Sequence, residues 1–199
     1  MQQAVLTWFP SRAFANLYGL LVLAALLSDQ LIPLLVGGKG QGLSFGPGRD
    51  RGSYLLIYLA SIAGFVAGLY FRYHNIGVVP FWVQVLALIL LVLGTVLREW
   101  AIVLLGRFFS RTVRIEQGHQ LITSGPFRWI RHPAYTGMLV VDTSIILGFG
   151  TWIGALLMFV LLLLAALYRI RVEERALLET FGDEYRAYVQ RTALLFPPC

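Results

Sequence analysis

The residues best suited to chemistry lie in two short segments in the second half of the chain. The first is Arg131-His132-Pro133-Ala134-Tyr135, and the second contains Arg169 and Glu173. Proline in a first turn favours a helix start, where unpaired backbone N–H groups attract an anion such as a carboxylate. Arg169 and Glu173 are four residues apart, which places both on one face of a helix. The alternative interpretation of the first segment is a belt of basic and aromatic residues at the membrane interface. For Arg169 and Glu173 the alternative is a simple ion pair.

The composition places this chemistry at or in a lipid bilayer. Of 199 residues, 58% are hydrophobic and 13% charged, and the mean hydropathy is +0.73. Soluble domains are about one quarter charged, so a water-soluble globule is excluded. The formal net charge of +6 then favours anionic lipid over nucleic acid as the partner. The single cysteine, Cys199, excludes an intrachain disulfide, and no metal site is expected.

The apolar stretches that must position these residues predict an all-α integral membrane protein with about five transmembrane helices. The last two are predicted to form a tight hairpin around Phe149-Gly150, and a helical tail follows them. Residues 1–199 are predicted to form a single domain. The predicted helices cover residues 14–36, 53–71, 79–105, 133–148 and 151–170.

The distribution of basic residues predicts the orientation. With five crossings, thirteen of the sixteen Lys and Arg residues fall on one side of the membrane, which makes that side cytoplasmic. The segment before the fourth helix and the C-terminal tail share this face, so the active site is expected between them. We expect a multi-pass protein of a prokaryotic plasma membrane or the endoplasmic reticulum. Asp142 interrupts the fourth helix, and either a functional or a structural role is open for it.

Three ordered motifs resemble those of the isoprenylcysteine carboxyl methyltransferases. They are GHQLITSGPF at 118–127, RHPAYTG at 131–137, and Glu173-Glu174 followed by FGDEYRAY at 181–188. The resemblance covers roughly residues 106–197. It implies that S-adenosylmethionine binds on the cytoplasmic side, in this part of the chain. The related phospholipid methyltransferases share much of the pattern.

The resemblance also implies roles for individual residues. Leu121, Ile122 and Phe127 suit the adenine, His132 and Tyr135 suit the cofactor's carboxylate, and Glu173 suits its ammonium. Arg169 would bind the acceptor, so that Arg169 and Glu173 form the catalytic pair. The implied cofactor contacts are Arg114, His119, Gln120, Leu121, Ile122, Phe127, His132, Pro133, Ala134, Tyr135 and Glu173.

The implied reaction is methyl transfer to the C-terminal carboxylate of a prenylated cysteine or prenylated protein, giving a methyl ester. A carboxylate is already deprotonated at neutral pH, so no general base is required. The alternative is methylation of another lipid, such as a phospholipid amine, for which Glu173, Glu174 or Asp142 would accept a proton. A third alternative is a lipid-binding protein without catalysis, or a reductase, on the same scaffold. The sequence does not fix the prenyl length or the oligomeric state.

Overall fold

A computed structural model describes residues 8–36, 52–109 and 121–197. Within these residues the chain forms five α-helices and two 3₁₀ segments, Gly106–Phe108 and Gly125–Arg128. The α-helices are α1 Arg12–Val36, α2 Ser53–Tyr73, α3 Phe81–Leu105, α4 Pro133–Gly148 and α5 Trp152–Gln190.

The helices have the composition of membrane-spanning segments. In the described part of the chain, α1, α2, α3 and α5 are long and apolar enough to cross a bilayer, and α4 is a shorter apolar helix of 16 residues. Their outer faces expose large apolar side chains such as Leu35, at 81%, and Leu20, at 65%. Lipid is the environment in which such faces are stable. The predicted all-α membrane fold is therefore confirmed.

The core of the bundle lies where α4 and α5 fold back on each other. Three residues separate the helices, and Gly150 adopts a positive φ of 98°. The Thr151 side chain accepts a hydrogen bond from the Gly154 N–H and caps α5. α3 packs against α4, α2 against α5, and α1 against α3. This arrangement holds the N-terminus of α4 beside the point where α5 continues past its apolar segment.

The fifth helix is longer than its apolar segment. The sequence predicted a fifth span over 151–170 followed by a helical tail, and the structure has helix through to Gln190. Gly182 interrupts it with φ 51° and ψ −119°, a conformation that is open to glycine and strained for other residues. Tyr185 and Tyr188, beyond this kink, are both buried. The kink therefore folds the end of the helix back onto the protein.

Candidate functional site

The start of α4 is held by the C-terminal segment 191–197. The backbone N–H groups of Arg131 and His132 donate to the carbonyls of Ala193 and Leu194 at 2.8 and 3.2 Å. The Thr136 hydroxyl donates to the Leu195 carbonyl at 2.5 Å. These bonds come from residues about 60 positions away, so the conformation of this helix start depends on the tail.

The first turn of α4 partly satisfies its own donors. The N–H groups of Tyr135 and Thr136 both donate to the His132 carbonyl at 3.1 Å. Pro133 has no N–H, so the remaining N–H of this turn belongs to Ala134. The backbone of this turn can therefore offer an anion the N–H of Ala134.

Glu173 is the centre of a cluster of charged and polar side chains. Its Oε1 accepts a hydrogen bond from the Tyr135 hydroxyl at 2.6 Å and one from Arg169 Nε at 3.0 Å. Its Oε2 lies 3.8 Å from His132 Nδ1. Arg169 is only 1% exposed, and its Nη1 donates to the Ser53 hydroxyl at 2.9 Å. The cluster thus joins the N-terminal ends of α2 and α4 to α5.

Glu174 forms a second cluster with different partners. It accepts hydrogen bonds from Arg131 Nε at 2.8 Å and the Tyr185 hydroxyl at 3.1 Å, and lies 3.3 Å from His132 Nε2. Burial would raise the pKa of Glu174, but hydrogen bonds and charge from His132 and Arg131 outweigh it and lower the pKa to about 2. Glu174 therefore stays ionised and connects α5 to Arg131 and His132, directly before α4.

One large cavity connects these clusters with the apolar interior of the bundle. Its volume is about 630 Å³, within the range of roughly 300–1,000 Å³ that is usual for small-molecule sites. The polar end contains His132, Tyr135, Arg169 and Glu173. The apolar part lies between α1, α2, α4 and α5 and is lined by residues such as Phe65, Met138, Ile145 and Met158. A ligand in this cavity can contact charged groups and membrane-embedded side chains together.

The structure brings together most of the predicted site residues. These residues all line the cavity: Leu121, Ile122, Phe127, His132, Pro133, Ala134, Tyr135, Arg169 and Glu173. The predicted contacts Arg114, His119 and Gln120 lie outside the described residues. Asp142 also lines the cavity and accepts a hydrogen bond from the Ser61 hydroxyl at 3.4 Å.

Several residues of the site were missed by the sequence analysis. Arg98 lines the cavity and pairs with Asp29 at 2.5 Å. Ser53 accepts a hydrogen bond from Arg169 in the cluster around Glu173. Arg98 could have been found, because an arginine inside an apolar span has to face protein or a polar cavity. Ser53 carried no such signal, since its role depends on packing against a residue 116 positions away.

The described residues fit S-adenosylmethionine by the chemistry of their donors and acceptors. Glu173 offers a carboxylate to an ammonium, and the His132 ring and Ala134 N–H lie at a helix start that favours a carboxylate. The buried Phe127, with Leu121 and Ile122, offers an apolar surface to a flat ring. The Phe127 carbonyl accepts a hydrogen bond from the Tyr188 hydroxyl at 2.6 Å, which fixes this surface against the end of α5.

Comparison with known proteins agrees with these features. Residues 86–179 match the isoprenylcysteine carboxyl methyltransferase (ICMT) family. The chain is 32% identical over 146 residues to protein-S-isoprenylcysteine O-methyltransferase B of Arabidopsis thaliana, covering 69% of this chain and 70% of the relative. It is 34% identical over 123 residues to protein-S-isoprenylcysteine O-methyltransferase of Tribolium castaneum, covering 58% of this chain and 42% of the relative.

The fold is also similar to that of a solved structure, described as the eukaryotic intramembrane Ras methyltransferase ICMT without a monobody. The TM-score is 0.61 at 26% sequence identity, and the match covers 88% of this chain and 63% of the solved chain. The chain spans about 60% of the length of the relative from Oryza sativa subsp. indica and 42% of that from Homo sapiens.

Proposed function

Because the chain belongs to the isoprenylcysteine carboxyl methyltransferase family, we propose that it methylates the C-terminal carboxylate of a prenylated cysteine, using S-adenosylmethionine. The product is a methyl ester, and the acceptor is a prenylcysteine or the prenylated end of a protein. One observation supports this proposal above the others. The cavity combines a charged end around Glu173 and Arg169 with an apolar part between membrane helices, which matches an acceptor with a charged head and a lipid chain.

The cofactor is proposed to occupy the end of the cavity near α4 and α5. When bound, S-adenosylmethionine supplies a methyl group on a positively charged sulfonium. Glu173 accepts hydrogen bonds from the cofactor's ammonium, and His132 and the α4 N-terminus bind its carboxylate. Leu121, Ile122 and Phe127 bind the adenine. Arg114, His119 and Gln120, which lie outside the described residues, complete the proposed set.

Arg169 is proposed to bind the acceptor carboxylate. Hydrogen bonds to Glu173, Tyr135 and Ser53 fix its guanidinium in one orientation. Because this cation is already fixed, it can hold the carboxylate in line with the methyl group without a further loss of conformational entropy during the reaction. Since the carboxylate needs no deprotonation, the residues have to supply alignment and exclusion of water. Alignment of this kind contributes about 7–11 kcal/mol in well-oriented reactions.

The lipid chain of the acceptor is proposed to lie in the apolar part of the cavity, among Phe65, Met138 and Ile145. We further propose that all five helices cross the membrane, with the N-terminus outside and the active site facing the cytoplasm. This orientation places most of the basic residues on the cytoplasmic side. The membrane is a prokaryotic plasma membrane or the endoplasmic reticulum. Membrane lipid and the prenylated acceptor are the proposed partners, with no role for nucleic acid.

A methyl-transfer assay tests this proposal. The purified protein in detergent is incubated with methyl-labelled S-adenosylmethionine and either N-acetyl-S-farnesylcysteine or phosphatidylethanolamine. We expect base-labile label on the farnesylcysteine, because a methyl ester hydrolyses in base. Base-stable label on the phospholipid amine would instead assign the alternative, N-methylation. Absence of label on both acceptors, from protein shown to bind the cofactor, would refute methylation of these lipids.

A further inference from the structure

A second arginine, Arg98, contacts the first turn of α4 and lines the same cavity. Arg98 Nη1 donates to the Ala134 carbonyl at 2.9 Å, whereas Arg169 contacts the neighbouring Tyr135 through its hydroxyl. Arg98 and Arg169 both line the cavity. Both guanidinium groups therefore contact the first turn of α4, which forms part of the proposed site.

Arg98 is already paired with a carboxylate. Its Nε donates to Asp29 Oδ1 of α1 at 2.5 Å, and the side chains are 17% and 29% exposed respectively. Asp29 itself lines the cavity. Within the proposed acceptor site, Arg98 is thus bound to the carboxylate of Asp29. The acceptor would present the same chemical group.

The charges around Arg98 limit how another carboxylate can approach. Besides Asp29, the carboxylates of Glu99 and Asp142 act electrostatically on Arg98. Asp29 is the carboxylate in direct contact with the guanidinium, so an acceptor carboxylate would meet its repulsion at short range unless Asp29 withdraws. Asp29 is the partner that can withdraw, because it is the more exposed member of the pair and lies in the last two turns of α1.

We propose that Asp29 and the acceptor carboxylate are alternative partners of Arg98: Asp29 occupies the guanidinium in the empty protein, and the acceptor displaces it on binding. This inference rests on the proposed function and adds a residue that controls acceptor affinity. It has a distinctive consequence. The two members of the ion pair have opposite effects on acceptor binding, whereas a pair that only stabilises the fold would give effects of the same sign.

The test compares two ligands that differ only in the charge of the carboxyl group. N-acetyl-S-farnesylcysteine and its methyl ester are titrated, without methyl donor, into the wild type, Asp29→Asn, Arg98→Gln and Arg98→Lys in detergent. The Kd of each ligand is measured, and thermal unfolding of each variant reports its folding. Asp183→Asn is the matched control, because Asp183 pairs with Arg186 on the exposed tail, with a side chain that is 93% exposed.

We expect Asp29→Asn to tighten binding of the acid by about three- to tenfold and to leave binding of the ester unchanged. Arg98→Gln should weaken binding of the acid by about tenfold or more, as expected when a hydrogen bond to a charged group is lost. Arg98→Lys should recover part of that loss. The ratio of the two Kd values within one variant is independent of how much of the protein is folded.

Two results would overturn the inference in ways that can be told apart. If the wild type binds acid and ester, but Asp29→Asn weakens both equally, Asp29 is structural and only this inference fails. If the wild type binds neither ligand, the proposed acceptor and this inference fail together.

Discussion

Glu173→Gln is the substitution that tests the arrangement of the site most sharply. Glutamine has nearly the same shape as glutamate and can still accept hydrogen bonds from Tyr135 and Arg169, which now contact Glu173 Oε1 at 2.6 and 3.0 Å. The change therefore removes the negative charge with little effect on packing. A hydrogen bond to a charged group contributes about 1.5–3 kcal/mol, so loss of the ammonium contact should raise the cofactor Kd about ten- to a hundredfold.

Arg169→Lys provides the contrast. Lysine keeps the positive charge beside Glu173 but lacks the planar fork that donates to Glu173 and Ser53 together. We expect the cofactor Kd to change by less than about threefold. Methyl transfer to farnesylcysteine should fall by at least about tenfold, because the acceptor carboxylate is no longer aligned.

The assay is isothermal titration of S-adenosylmethionine into detergent-solubilised protein, together with the rate of methyl transfer. Glu179→Gln is the matched control, since Glu179 is an exposed glutamate on the same helix. Thermal unfolding of each variant shows whether it is folded. Equal cofactor affinity in the wild type and folded Glu173→Gln would refute the assignment of Glu173 to the cofactor's ammonium.

Three further predictions concern the supports of the site. Deletion of residues 191–197 should abolish cofactor binding in calorimetry while the helical circular dichroism persists, because this segment pairs with the residues before α4. Glu174→Gln should lower Tm between about pH 7 and 5. That difference should shrink as pH falls below about 4.5. Ionised Glu174, in contact with His132 and Arg131, stabilises the fold at pH values above the pKa of a glutamate in the unfolded chain. This contribution is lost as pH falls towards the folded-state pKa of about 2. Gly68→Val should destabilise the protein by about 1–3 kcal/mol in thermal or denaturant unfolding, because even a Cβ there would lie 2.6 Å from Ile146 Cγ2.

The sequence predicted the parts of the fold that depend on local composition. Apolar length located the spans, and the separation of residues 133–148 from 151–170 by Phe149-Gly150 located the hairpin. Two further signals depend only on neighbouring residues: the proline at the start of α4, and the four-residue spacing of Arg169 and Glu173. These residues were therefore placed on their helices from the sequence, and the structure brings them to one cavity.

The contacts that the sequence did not predict join distant parts of the chain. Asp29 and Arg98 are 69 positions apart, and Arg169 and Ser53 are 116 apart, so helix periodicity could not indicate either pair. The bonds from segment 191–197 to the start of α4 use backbone groups, which have no residue-type signature. Gly182 could have indicated a break in the last helix, but a glycine does not specify the direction in which the helix bends.

Photo-crosslinking of the acceptor tests most directly the central claim that one cavity holds the lipid chain and the reacting carboxylate. A prenylcysteine with a diazirine at the end of its chain is irradiated with the protein, and labelled peptides are identified by mass spectrometry. We expect label on cavity residues such as Phe65 and Ile145, reduced by excess N-acetyl-S-farnesylcysteine. Label confined to outward-facing residues of α3 such as Leu93, and unaffected by the competitor, would contradict the account.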